Sequence, residues 1–207
     1  MDIASIDLQE LSAVPGAFYL AIAMLAAWGG LLVLRGDFLR ADQRLIEGEN
    51  QPDRHPAVAV VVPARNEADV IGEAVSSIAG QEYPGDIRIF VVDDRSEDAT
   101  AEIVQQIQGV TVVAGSEAPA GWTGKMWAVS QGVEAADGAA PDAEYIWLTD
   151  ADIAHHPGEL ASLVAYSDDR NLDLNSLMVR LRVDGLWDVL LIPAFVFFFQ
   201  KLYPQLM

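Results

Sequence analysis

The chain has 207 residues, 31 acidic against 12 basic for a formal charge of −19, no cysteine, and 52% hydrophobic content. So apolar a chain is not an acidic disordered tail, and the negative balance makes it a poor candidate for nucleic-acid binding, which relies on Lys and Arg neutralising phosphates. The missing cysteines exclude disulfide staples, thiolate metal sites and cysteine nucleophiles.

Mean hydropathy is nevertheless +0.22, so charged and apolar residues must be segregated along the chain. Residues 11–34 are 24 consecutive positions without a charge. As a helix at about 1.5 Å per residue they reach roughly 36 Å, enough for a hydrocarbon core of about 30 Å. A cleaved signal peptide would need a basic start, whereas Asp2, Asp7 and Glu10 precede this stretch. The expectation is a transmembrane anchor within an N-terminal segment, 1–34. Arg35, Arg40 and Arg44 follow it, and no Lys or Arg precedes it. The positive-inside rule then sets the remaining chain on the cytoplasmic side of the inner membrane.

Residues 35–56 read as a charged linker closing with Pro52 and Pro56. Ala57–Val62 is a continuous apolar run, the pattern of a strand buried on both faces. Residues 68–80 place Ile71, Val75 and Ile78 at helical spacing, and Ile87–Val92 is a second buried strand. Asp98 can cap a helix with Ile103, Val104 and Ile107 on its inner face. Val110–Val113 is a short strand, 125–136 a helix, Tyr145–Leu148 a strand, and a further helix begins near Pro157. Such alternation predicts an α/β fold over 57–185: a mostly parallel sheet with helices on both faces and a ligand site beyond the strands' carboxyl ends. The last segment, 186–207, contains the uncharged run Val189–Phe199. At 11 residues it is too short to span, so an interfacial or re-entrant segment is expected, with a buried core element as the alternative.

The strand ends are polar. The first leads into Pro63-Ala64-Arg65-Asn66-Glu67, the second into Asp93-Asp94-Arg95-Ser96, and the fourth into Thr149-Asp150-Ala151-Asp152. Asp150 and Asp152, on a turn leaving a strand, can offer oxygens to Mg²⁺ or Mn²⁺, ions that also take phosphate oxygens. An Asp-x-Asp triplet also arises by chance in so acidic a chain. His155 and His156 are either further ligands or exposed loop residues. Asp93 and Asp94 either cap a turn or accept hydrogen bonds from a base or ribose. Gly121-Trp122-Thr123-Gly124-Lys125 joins a flexible turn to a lysine at a helix start, without the spacing of a Walker loop.

In order and spacing, Val60–Glu67, Val91–Ser96 with Asp98 and Thr100, and Asp150-Ala151-Asp152 resemble family 2 glycosyltransferases of the GT-A fold. With Gly121–Lys125, the N-terminal apolar segment and Pro193–Phe199, the chain looks most like bacterial hopene-associated glycosyltransferases. The resemblance implies that Pro63, Ala64, Arg65, Asn66 and Glu67 line a nucleotide pocket. Asp93 and Asp94 would contact the ribose and uracil of a UDP-sugar, and Lys125 would lie near its phosphates. Asp150 and Asp152 would hold Mg²⁺ or Mn²⁺ on the diphosphate. The implied reaction is an inverting transfer to a lipid acceptor, hopanoid or polyprenyl, at the membrane surface.

The family's acidic general base and a later Arg-containing motif lie downstream of the metal motif, and the sequence stops at Met207 before either. Asp168, Asp169, Asp173 and Asp184 follow without a motif that marks one as the base. A truncated product is therefore expected. The alternative to an active enzyme is a nucleotide-sugar-binding fragment without turnover.

Overall fold

The computed structural model describes residues 16–34, 52–181, 183 and 185–202. The chain divides into two compact units, one holding the first and last helices and the other, Leu45–Val179, holding the sheet.

In chain order the sheet unit runs β1 (Ala57–Ala64), α2 (Ile71–Ala79), β2 (Ile87–Asp93), α3 (Thr100–Gln105), β3 (Val110–Ala114), α4 (Gly124–Ala139), β4 (Ala143–Leu148) and α5 (Glu159–Arg170). The strands lie in the order β3-β2-β1-β4, and every pairing is parallel. The α/β expectation is met. β1 sits centrally because its run from Val58 to Val62 has no polar face to offer water. Val58, Val60 and Val62 meet Ile71, Val75 and Ile78 of α2, Val104 of α3, and Leu160 and Val164 of α5. On the opposite face Ala59 and Val61 join Phe90, Val92 and the α4 residues Ala128 and Ala136. Full burial of each Val or Ile is worth about 1.5–3 kcal/mol.

Two details differ from the sequence pattern. β1 continues through Pro63 to Ala64. Val61 O accepts the Thr149 N–H, so Pro63, two residues on, faces the same flank. β4 has already ended there at Leu148, and no ladder donor is required. The second concerns β4, whose apolar sequence lies at the sheet edge, with Ile146 and Leu148 exposed. The cause is that α4 packs across β1 and β2 instead of over β4.

Arg54 fastens the strand-start end of this unit. Its guanidinium grips both oxygens of Asp168 at 3.0 Å and also reaches Glu144, while Tyr145 donates its hydroxyl to Asp168. That guanidinium holds the Asp168 carboxyl below its ordinary range. α5 ends where Asn171 turns left-handed (φ 50°) and the Leu172 N–H reaches back to Ser167 O.

The other unit contains α1 (Ala17–Leu34) and α6 (Leu186–Leu202). Of the expected 11–34 span, residues 11–15 lie outside the described residues. The described helix has 18 residues, about 27 Å at the α-helical rise. Among the described residues no helix is long and apolar enough to cross a membrane. α6 is longer than the 11-residue uncharged run: Asp188 caps its start by accepting the Gly185 N–H at 2.9 Å, and the helix continues past Phe199 to Leu202. Pro193 lies inside this helix. Apolar side chains from Phe18 to Leu25 and from Leu186 to Leu191 are exposed, as are Phe195 and Phe198, and Phe198 meets Trp28 edge-on at 6.2 Å. Arg35, Arg40 and Arg44, which orient the expected anchor, lie outside the described residues.

Candidate functional site

The strand order determines where a ligand can sit. The chain steps outward from β1 to β2 and β3, then returns through α4 to the other flank of β1. Connections therefore diverge between the carboxyl ends of β1 and β4, and a crevice opens there. It is a cleft of about 300 Å³. The loop after β1 supplies Pro63, Ala64, Arg65 and Glu67, and Asp94 stands beyond β2. The start of α4 supplies Gly124, Lys125 and Ala128; the turn after β4 supplies Asp150, Ala151 and Asp152.

Asp94 is the buried carboxylate of the group, 5% exposed. Its oxygens lie 3.7 Å from Arg65 Nη1 and from Arg95 Nε. It faces the start of α4 so closely that a Cβ added at Gly124 would stand 3.2 Å from its Oδ2. Lys125 Nζ lies 2.7 Å from Asp150 Oδ1, and both side chains are about half exposed. An exposed pair is worth about 0–1 kcal/mol, weak enough for a polyanion to open it. No side chain caps the α4 N-terminus at Thr123, and Gly124 and Lys125 at that helix start line the cleft, where uncapped backbone N–H groups suit an anion.

Two predicted site residues do other work. Asn66 does not line the cleft; it clamps the β1 and β2 loops together, donating its N–H to Ser96 Oγ and accepting the Glu97 N–H at Oδ1. Its left-handed backbone (φ 55°) is one that asparagine tolerates. Asp93 likewise accepts the Ser96 N–H within its own turn. Of the two carboxylates, only Asp94 lines the cleft.

Asp98 completes the clamp, accepting the Ala68 N–H at one oxygen and the Thr100 N–H and hydroxyl at the other. The Thr100 hydroxyl foremost, and those amides with it, hold the Asp98 carboxyl below its ordinary range. A lowered folded-state value means that its contribution is present above the unfolded value and disappears as pH falls through the folded one. The stability gap between wild type and Asp98→Asn should therefore be open at pH 6 and narrow below about pH 4, in thermal unfolding across that range.

The histidines part company. His155 is buried, bonded through its ring to Thr149 and Glu159, and outside the cleft lining, while His156 is exposed. So His155 is neither a cleft ligand nor an exposed loop residue. Among the described residues no group of three His, Asp or Glu side chains could hold a metal ion alone. Asp150 and Asp152, one residue apart on the cleft wall, could offer carboxylate oxygens to a hard divalent cation. Of the later carboxylates, Asp168 is engaged by Arg54 and Tyr145, and neither Asp169 nor Asp173 lines the cleft. Asp184 lies outside the described residues. Gly124, Ala128 and Ala151 line the cleft without standing out as site residues in the sequence. Gly124 has a usable signal, as the glycine before the helix-opening lysine, whereas a small residue such as Ala128 carries no local one.

Comparisons with known proteins agree with this geometry. Residues 59–198 match the family model of Glycosyl transferase family 2. A 4,4'-diaponeurosporenoate glycosyltransferase of Staphylococcus aureus (strain bovine RF122 / ET3-1) is 32% identical over 112 residues, 54% of this chain and 28% of that protein. The one from strain USA300 is 35% identical over 79 residues, 38% of this chain and 20% of that protein. A mannosyltransferase, PcManGT from Pyrobaculum calidifontis, solved with GDP-Man and Mn²⁺, superposes with a TM-score of 0.54 at 28% identity, covering 72% of this chain and 43% of its own. The chain thus spans less than a third of the length of these curated relatives. With a parallel α/β sheet like that of GT-A enzymes and a polar cleft at its switch point, the chain belongs to glycosyl transferase family 2.

Proposed function

We propose that this chain provides the donor site of a membrane-anchored, metal-dependent inverting glycosyltransferase that moves a sugar from a nucleotide diphosphate, UDP for preference, to a lipid acceptor. One observation carries the proposal: the buried Asp94 and the more exposed Lys125, Asp150 and Asp152 converge on a single cleft from two strand ends and a helix start. Asp94 accepts hydrogen bonds from the base, and the loop from Pro63 to Glu67 walls the nucleoside. Lys125 and the uncapped start of α4 receive the diphosphate, where a point cation and free backbone amides suit phosphate oxygens. A divalent cation held by Asp150 and Asp152 would neutralise charge developing on the departing diphosphate.

In the reaction, the acceptor hydroxyl attacks the anomeric carbon as the bond to the diphosphate oxygen breaks. Nucleoside diphosphate leaves, and the hydroxyl proton passes to a carboxylate base. The exposed apolar surfaces of α1 and α6 support an anchor over 11–34 and an interfacial role for the C-terminal segment. The relatives named for 4,4'-diaponeurosporenoate support a lipid-like acceptor; hopanoids and polyprenyl lipids are the candidates. The Mn²⁺ in the mannosyltransferase complex supports the metal.

The second reading, nucleotide-sugar binding without turnover, draws on the absence of an assigned base among the described residues. Titrating the chain with UDP, UDP-sugars and GDP-Man, with and without Mn²⁺, should show metal-enhanced nucleotide binding. Saturation at 100 times the dissociation constant should add about 2.7 kcal/mol of stability. No binding of any nucleotide would refute the donor site. Binding without sugar transfer to a lipid extract would favour the second reading.

A further inference from the structure

The turn carrying Asp150 and Asp152 is closed at its base by a buried histidine. His155 Nε2 lies 2.8 Å from Thr149 Oγ1, Nδ1 lies 3.1 Å from Glu159 Oε2, and its backbone N–H donates to Ser77 Oγ at 2.9 Å. The ring meets Trp147 at 4.6 Å between centroids, in an edge-to-face arrangement. The carboxylate partner assigns one of the two nitrogens. A carboxylate only accepts, so Nδ1 carries a proton toward Glu159, and Nε2 shares a hydrogen bond with the Thr149 hydroxyl.

Thr149 also gives its backbone N–H to Val61 O of β1. The residues between Thr149 and His155 therefore form a loop whose two ends are bonded to each other, to the sheet and to α2. Within it all three of Asp150, Ala151 and Asp152 line the cleft, and Ala151 is also buried in the core cluster. Ala151 anchors the turn in the core at the cleft floor, with the two carboxylates on either side of it.

We propose that His155, acting through Thr149, is a positioning residue that holds the Asp150 and Asp152 carboxylates in register with the diphosphate and its cation. The proposal rests on the metal–diphosphate site described above. Groups that orient ligating carboxylates without touching the ion commonly control its affinity.

The test separates the two ring bonds. His155→Asn keeps an amide near the Nδ1 position, facing Glu159, but cannot reach Thr149. His155→Gln places an amide near Nε2 and keeps the Thr149 bond. Thr149→Val removes the hydroxyl at nearly constant shape, and Thr149→Ser retains it. UDP affinity of the full chain is measured by calorimetry with and without Mn²⁺, alongside melting temperature. The expected result is that His155→Asn and Thr149→Val lose about tenfold or more of the Mn²⁺-dependent gain in UDP affinity. Their metal-free UDP affinity stays as in wild type, and His155→Gln and Thr149→Ser retain most of the gain. If Thr149→Val and His155→Asn only lower the melting temperature and keep the full Mn²⁺ gain, His155 is a core residue and the proposal is overturned. If wild type itself shows no Mn²⁺ gain, the metal–diphosphate site fails and takes this proposal with it; the wild-type measurement distinguishes the two failures.

Discussion

Under the proposed donor-site function, Asp152→Asn is expected to lower sugar transfer by about 10²–10³-fold, the scale seen when one preorganised electrostatic contact to developing charge is removed. Asp152 is exposed on the cleft wall, and asparagine keeps its shape while deleting its charge. The melting temperature should stay within a degree or two of wild type, because no core contact is lost. UDP affinity should become insensitive to Mn²⁺, which calorimetry reads directly without the acceptor lipid. Retention of wild-type Mn²⁺ dependence would remove Asp152 from the metal site. Asp150 is the less clean target, since its replacement also releases Lys125 from a 2.7 Å ion pair and alters two charges at once.

Gly132→Ala should destabilise the sheet unit strongly for a single added methyl, and it lies away from the cleft. A Cβ at Gly132 would stand 2.3 Å from Val61 Cγ1 and 2.9 Å from Val92 Cγ2. Both valines are fully buried on adjacent strands, and a β-branched side chain on a strand has few rotamers to escape into. Overpacking of this kind costs about 1–3 kcal/mol, or roughly 5–15 °C in melting temperature for a unit of this size. Gly138, in the same helix, has nothing within 4 Å of its added Cβ. Gly138→Ala should therefore act in the opposite sense and stabilise by about 0.5–1 kcal/mol through helix propensity. Thermal unfolding of the pair is the check. Equal effects at the two positions would show that α4 does not approach the sheet at Gly132.

The local elements of the sheet unit are legible because each carries its own period. The run from Val58 to Val62 can only be a strand covered on both sides, and Ile71, Val75 and Ile78 fall on one helical face. The Asp-Asp and Asp-x-Asp pairs are visible as strand-end chemistry. Their separate duties are not. Asp93 and Asp94 are neighbours of identical type, and only the backbone's path turns one into its own loop and the other toward α4. Asn66 shows the same gap: its motif is readable, but its bonds to Ser96 and Glu97 join loops 30 residues apart. The length of α6 is hidden for another reason, since an uncharged run does not measure a helix that continues beyond it at both ends.

What the sequence determined by itself was the alternation of strands and helices, their hydrophobic faces, the stock of polar residues at the strand ends and the family. Those follow from short-range periodicity and from residue identity at fixed spacing. The order β3-β2-β1-β4 was decided only by the tertiary structure. It depends on which faces bury one another, and no local pattern records that. Because β4 returns to the far flank of β1, Asp150 reaches Lys125, and Asp150 and Asp152 share one cleft with Asp94. Had β4 been placed beside β3, the same residues would form the same strands and helices, and the cleft would not exist.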